Sequence, residues 1–179
     1  MPEINIRPAT ASDIPILSKI EHNYSSEYVW QMEINADDRQ VGVKFREIHL
    51  PRSVRVEYPR PVANLADEWT HRSGLLVALL EGELIGYISV MLEIAPATTW
   101  IRDLAVNGRA RRQGIASALV LAAQEFGFRN NTRRVVMEMQ PKNNAAIHLA
   151  QKLGFDFCGY NDRYYTNSDI ALFFGKLLR

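Results

Sequence analysis

Residues 100–128, WIRDLAVNGRARRQGIASALVLAAQEFGF, constrain the fold more than any other stretch of the chain. They read as a strand (Trp100 to Val106), a basic loop (Asn107 to Gln113) and an amphipathic helix whose Ile115, Ala118, Leu119, Ala122 and Phe126 recur on one face. Where the loop becomes helix, the backbone amides of Gln113, Gly114, Ile115 and Ala116 lack intrahelical acceptors. Such amides, at the positive end of a helix dipole, form an anion site. Arg109, Arg111 and Arg112 add charge, and Gly114 has no side chain to block a phosphate. The stretch predicts phosphate binding without saying which phosphate compound is bound.

The remaining segments fit a sheet around this unit. Ile4 to Arg7 reads as a first strand, and Thr10 to Asp13 as a capping-box start for a helix carrying Ile14, Leu17 and Ile20. Residues 23–73 are harder to read. Val41, Val43 and Phe45 alternate as in a strand, Val54 to Tyr58 reads as a short strand, Pro51, Pro59 and Pro61 interrupt the pattern, and Ala63 to Arg72 reads as a helix. Tyr24, Tyr28 and Trp30 fit either a substrate pocket or the core. Gly74 to Gly82 and Glu83 to Ile94 form a hairpin around Glu81-Gly82. A strand at Arg133 to Met139 precedes a helix capped by Asn144 and ending at Gly154. Its buried face is Ala146, Leu149, Ala150 and Leu153. Tyr160 to Thr166 and Ile170 to Leu178 read as closing strands. The expected architecture is α/β (α+β), a mixed central sheet flanked by helices on both faces, in a single domain over residues 1–179.

Composition narrows the function classes. A net charge of +1 gives no footprint for nucleic acid, and no apolar run reaches the length of a membrane span. The lone Cys158 has no partner for an internal disulfide, which points to a reducing, cytoplasmic setting. His22, His49, His71 and His148 have no ligand-type neighbours at metal-binding spacing, so no metal is expected.

The run Arg111-Arg112-Gln113-Gly114-Ile115-Ala116, placed after Leu104-Ala105-Val106, resembles the R/Q-x-x-G-x-G/A signature of the GCN5-related N-acetyltransferases (GNAT). Asn143-x-x-Ala146-x-x-Leu149-Ala150-x-Lys152-x-Gly154-Phe155 is similar to that family's later motif except at one position. The opening IRPATASDIPIL extends the resemblance to the N-terminus. The second half, with Ile101-Arg-Asp103-Leu-Ala-Val106 and Tyr165 followed by Ile170 to Leu178, resembles the streptothricin acetyltransferase subgroup.

The resemblance implies acetyl-coenzyme A as co-substrate and an amine of a small molecule, peptide or protein as acceptor. A homodimer is compatible with it, since many members are dimers. Gln113, Gly114, Ile115, Ala116 and Ser117 would hold the pyrophosphate, with Arg111 and Arg112 beside them. The strand ending Leu104-Ala105-Val106 would pair with the pantetheine arm, and Asn143 would contact the cofactor. The Val106 amide would serve a developing oxyanion.

An ammonium has no lone pair, so a base or a desolvating pocket is required. Asp103 and Glu93 are candidates, with Glu138 behind them; each fits a solvent-facing strand residue equally well. The tyrosine that protonates the leaving thiolate in many members is replaced by Ala150, so Tyr164 or Tyr165 would substitute, unless they only pack. Ala150 also admits a non-catalytic acyl-CoA-binding module, and Ala150→Tyr would then raise turnover if thiolate protonation is limiting. A generic nucleotide-phosphate binder is the remaining alternative, against which the loop lacks the terminal G-K-S/T of a P-loop.

Overall fold

Thirteen regular elements make up the computed structural model, which describes residues 3–179. They are β1 (Ile4–Pro8), α1 (Ile14–Leu17), β2 (Tyr24–Ala36), β3 (Val41–Val56), α2 (Leu65–Glu68), β4 (Gly74–Leu80), β5 (Glu83–Met91), β6 (Thr98–Val106), α3 (Ile115–Arg129), β7 (Arg134–Met139), α4 (Asn144–Lys152), β8 (Asp156–Asn161) and β9 (Ala171–Leu177). One seven-stranded sheet runs β1-β4-β5-β6-β7-β9-β8, and β2 and β3 form a separate hairpin. Every neighbouring pair in the large sheet is antiparallel except β6 and β7. At the β4–β5 turn, Glu81 and Gly82 both take positive φ, as a tight two-residue hairpin turn requires.

Each sheet face carries its own apolar layer. On one side Ile115 and Leu119 of α3 and Ile147 and Ala150 of α4 pack with Ile88, Phe155 and Phe174. On the other, Ile14 and Leu17 of α1 and Leu65 of α2 pack with Val77, Tyr87 and Ala105. Helices therefore cover both faces, as the patterning predicts.

Several boundaries differ from expectation. The capping box forms, with the Thr10 amide donating to Asp13 Oδ2 at 2.8 Å, yet the helix it opens is only a turn at Ala11–Asp13 and the short α1. The unreadable region is mostly one long hairpin. Pro51 lies within β3, in the stretch between His49 (opposite Tyr28) and Val54 (opposite Ser26), where the register breaks and no ladder hydrogen bond is lost to the proline. The helix expected over Ala63 to Arg72 is α2 with a 3₁₀ turn on either side. Asn143, not Asn144, caps α4, accepting from the Ala146 amide at 3.2 Å. The strand expected at Tyr160 to Thr166 instead ends at Asn161. Positive φ at Arg163 and Ser168 turns the chain, so Tyr164 and Tyr165 sit in a loop. That loop is held by Gln140, whose Nε2 donates to Asp169 at 2.7 Å.

Candidate active site

Three features of β6 build the site. The first is a bulge. Ser89 faces Asp103 and Val90 faces Ile101, so Arg102 has no opposite number on β5. Side chains alternate along a strand, and one extra residue reverses the phase. Ile101 faces the α3 layer, whereas Asp103 turns to the α1–α2 face.

The second feature is a splay. The parallel pairing of β6 with β7 runs from Thr98 opposite Arg134 to Ile101 opposite Met137, and then stops. On the other side of β6, the Asn107 amide donates to the Ile85 carbonyl at 2.7 Å, which makes Asn107–Ile85 a hydrogen-bonded pair. Such pairs alternate in an antiparallel ladder. The backbone groups of Ala105 therefore face β5, while those of Leu104 and Val106 face the gap where β7 has parted. An edge of unpaired N–H and C=O groups is a template for an added extended chain.

The third feature is the loop at the end of β6. Gly114 sits at φ 82°, where a side chain is strained, and a Cβ there would meet nothing within 4 Å. The first intrahelical bond of α3 runs from the Ala118 amide to the Gly114 carbonyl at 3.0 Å. The amides of Ile115, Ala116 and Ser117 are thus left free at the helix N-terminus. The arginines divide the work. Arg111 bonds the carbonyls of Val106 and Glu21, both at 3.1 Å, and Arg109 pairs with Glu83. Arg112 and Gln113 are exposed beside Gly114, and Arg112 has positive φ.

On the α1–α2 face of β6 lies a cavity of about 380 Å³. Asp103, 5% exposed, accepts a hydrogen bond from the Tyr58 hydroxyl and has Arg60 and Arg72 each at 3.5 Å. Behind it, buried Glu138 accepts from Trp100 Nε1 and from the Tyr164 hydroxyl (3.0 Å) and pairs with Arg60. The Arg60 guanidinium lies over the Tyr165 ring, 5.2 Å from its centre. Burial pushes the Tyr58, Tyr87 and Tyr165 hydroxyls above the usual phenol range, with the Asp103 charge adding to the rise. Near the cavity's inner wall, His22 Nδ1 faces the Ile20 carbonyl at 2.6 Å and must donate to it. Nε2 is then the acceptor for the Tyr87 hydroxyl at 2.7 Å, and burial holds the imidazole below its ordinary pKa.

The sequence-predicted residues are thereby sorted. Asp103 and Tyr165 line one cavity, and Leu104, Val106, Gly114, Ile115, Ala116 and Ser117 border the gap and loop above it. Ala105 faces the other way and packs with Tyr87. Asn143 spends its side-chain oxygen on the α4 cap. The strand expected to reach Ile94 ends at Met91, so Glu93 is exposed in the bend beyond β5 and does not line the cavity. The early aromatics stay outside as well. Trp30 packs on Phe174, Tyr28 meets His49 edge to face, and Tyr24 donates to Gln140 at 2.8 Å. Ala150 is fully buried within the α4 layer. Sequence reasoning missed Tyr58, Arg60, Arg72 and Arg102. They come from the region without clear periodicity, or from a bulge that regular alternation does not reveal.

Comparison with known proteins places this geometry. The profile of the Acetyltransferase (GNAT) family matches residues 43–155. The streptothricin acetyltransferase of Streptomyces lavendulae is 22% identical over 167 residues, 90% of this chain and 86% of that protein. The subgroup likeness therefore extends well beyond the second half of the chain. Among solved structures, nourseothricin acetyltransferase superposes with a TM-score of 0.81 at 20% identity, over 98% of this chain and 99% of that one. A Bacillus anthracis protein designated a streptothricin acetyltransferase, solved with acetyl coenzyme A, gives a TM-score of 0.75 at 18% identity over the same shares. The splayed strand, the helix with free N-terminal amides and the matching family profile lead to one conclusion: the chain belongs to the GNAT family and is an N-acetyltransferase.

Proposed function

We propose that this chain transfers the acetyl group of acetyl-CoA directly to a primary amine of a small molecule held in the cavity beside Asp103. The observation that carries the reading is that the open edge and the cavity share β6: Leu104 and the Val106 N–H face the splay, and Asp103, next to Leu104 in the chain, lines the cavity. The small cavity, bounded by the Tyr58 and Tyr164 segments, favours a small acceptor over an extended peptide.

The residues present fit acetyl-CoA. The free amides of Ile115, Ala116 and Ser117, with exposed Arg112 and Gln113, suit its pyrophosphate, and the Leu104–Val106 edge suits the amides of its pantetheine arm. The bound molecule supplies an activated acetyl thioester. The Val106 N–H, turned away from β5, is placed to donate to charge developing on an acyl oxygen. Asp103 already accepts from Tyr58 and faces two arginines. It therefore acts as a positioning residue that orders the cavity wall, and the amine passes its proton to water. Tyr165 stays a phenol because burial raises its pKa, and its hydroxyl makes no hydrogen bond among the described residues. It is the O–H group suited to donate a hydrogen bond to the departing thiolate, which takes its proton from water.

The test is acetyl-CoA-dependent acetylation of an amine panel containing streptothricin, polyamines, aminoglycosides and peptides, read by product mass. An acetylated small amine is the expected result. Products confined to peptides would overturn the acceptor assignment. Tight acetyl-CoA binding by calorimetry with no acetylated product would overturn transfer itself.

A further inference from the structure

The carboxylates and guanidiniums around the cavity are unequally served. Asp103 has Tyr58, Arg60 and Arg72; Glu138 has Arg60, Trp100 and Tyr164; and Glu68 has Arg72 at 3.5 Å. No carboxylate there lacks a partner. Two arginines do have unused capacity. The Arg72 side chain is 7% exposed, and its Nε and Nη1 make no hydrogen bond, Nη1 only facing Asp103 at 3.5 Å. Arg102, half-buried on the β6 bulge, makes no ion pair among the described residues and lines the same cavity. Burial opposes its ionisation, and the charges of Arg60 and Arg72 add to that effect.

A buried N–H without an acceptor carries a desolvation cost, and the planar fork of a guanidinium matches a carboxylate with paired hydrogen bonds. An ammonium would find no open carboxylate here; an anion finds two under-used guanidiniums. We propose that the acceptor carries a carboxylate as well as its amine, that Arg102 binds that carboxylate with the buried Arg72 guanidinium adding charge behind it, and that the amine is thereby turned toward the splay of β6. The acceptor is then an amino acid or a molecule shaped like one. The proposal rests on the acetyl-transfer reading for its reaction, while the carboxylate site stands on the binding geometry alone.

The experiment is calorimetric titration of the CoA-saturated enzyme with matched pairs: L-phenylalanine and phenethylamine, L-tryptophan and tryptamine, L-histidine and histamine, L-lysine and cadaverine. At least one carboxylated member should bind about tenfold or more tightly than its decarboxylated partner, the scale of a charge-assisted pair. Arg102→Met should bring that ratio close to one, and Arg102→Lys should restore part of it, with unchanged circular dichroism showing that both variants fold. The proposal is overturned if no carboxylated member binds, if the decarboxylated amines bind as tightly, or if the ratio survives Arg102→Met. CoA release from acetyl-CoA with the same pairs reports on the reaction separately. Carboxylate-dependent binding without CoA release upholds the anion site and sinks acetyl transfer to these amines.

Discussion

The Tyr58 hydroxyl donates to Asp103 Oδ1 across 45 positions of sequence, fastening the segment before α2 to the middle of β6. The same carboxylate faces Arg60 and Arg72, so this contact is one member of a buried network. Tyr58→Phe leaves both ion pairs and should cost about 1–3 kcal/mol of stability. Asp103→Ala takes one carboxylate from each of two buried guanidiniums, leaving Arg60 with Glu138 and Arg72 with Glu68, and should cost about 3–5 kcal/mol. Urea unfolding at pH 7 distinguishes them, and equal losses would contradict the network.

Gly114→Glu should abolish acetyl-CoA binding in calorimetry while the fold survives, because the new side chain enters open space in front of the free α3 amides. Gly114→Ala separates strain from blockage: it should lose about 1–2 kcal/mol of stability from its left-handed φ, with a smaller loss of affinity. Unchanged affinity in the glutamate variant would move the phosphate site elsewhere.

Acid should loosen the wall between His22 and Tyr87. Burial lowers the folded-state pKa of His22, so the unfolded chain takes up the proton first. Stability is therefore fully present above the unfolded value of about 6.5 and falls as pH drops from there toward the folded value. His22→Gln should be less stable at pH 7.5 yet show a shallower loss between about pH 6.5 and 5.5. Unfolding curves with parallel pH slopes would show that His22 does not contribute.

Ala150→Tyr tests the residue replaced in the later motif. Sequence resemblance alone suggests a gain in turnover, but Ala150 is fully buried against the α4 layer. Overpacking should destabilise the variant by about 1–3 kcal/mol, and turnover per folded molecule should not rise. Thermal melting and CoA-release rates measure the two effects.

What the sequence made legible follows from period and punctuation. β6, the loop and α3 were readable because a strand, a glycine and a helical face occur in unbroken order. The β4–β5 hairpin was readable from Glu81-Gly82. The long β2–β3 hairpin was not. Its outer half is exposed on both faces and so lacks a clean alternation, and Pro51 suggested a break where a register shift absorbs it. The cavity wall was hidden for a different reason. Tyr58, Arg60 and Arg72 are polar residues beside short turns, and only long-range pairing with Asp103 and Glu138 gives them a common position. Glu93 lies past Met91, in a bend that the strand period does not reveal.

The residue inserted at Arg102 acts on β6 much as a reading-frame shift acts on a message, but confined to one strand. Upstream of it the inward positions, such as Ile101, belong to the α3 layer; downstream the assignment of faces is exchanged, and Asp103 emerges opposite. Deleting Arg102 would do more than remove a guanidinium. It would set Ile101 and Asp103 in strict alternation opposite Val90 and Ser89, keeping Asp103 on the α1–α2 face while removing the local bend and twist that a bulge adds. The single added residue thus bends the strand where it passes from the core at its start to chemistry at its end.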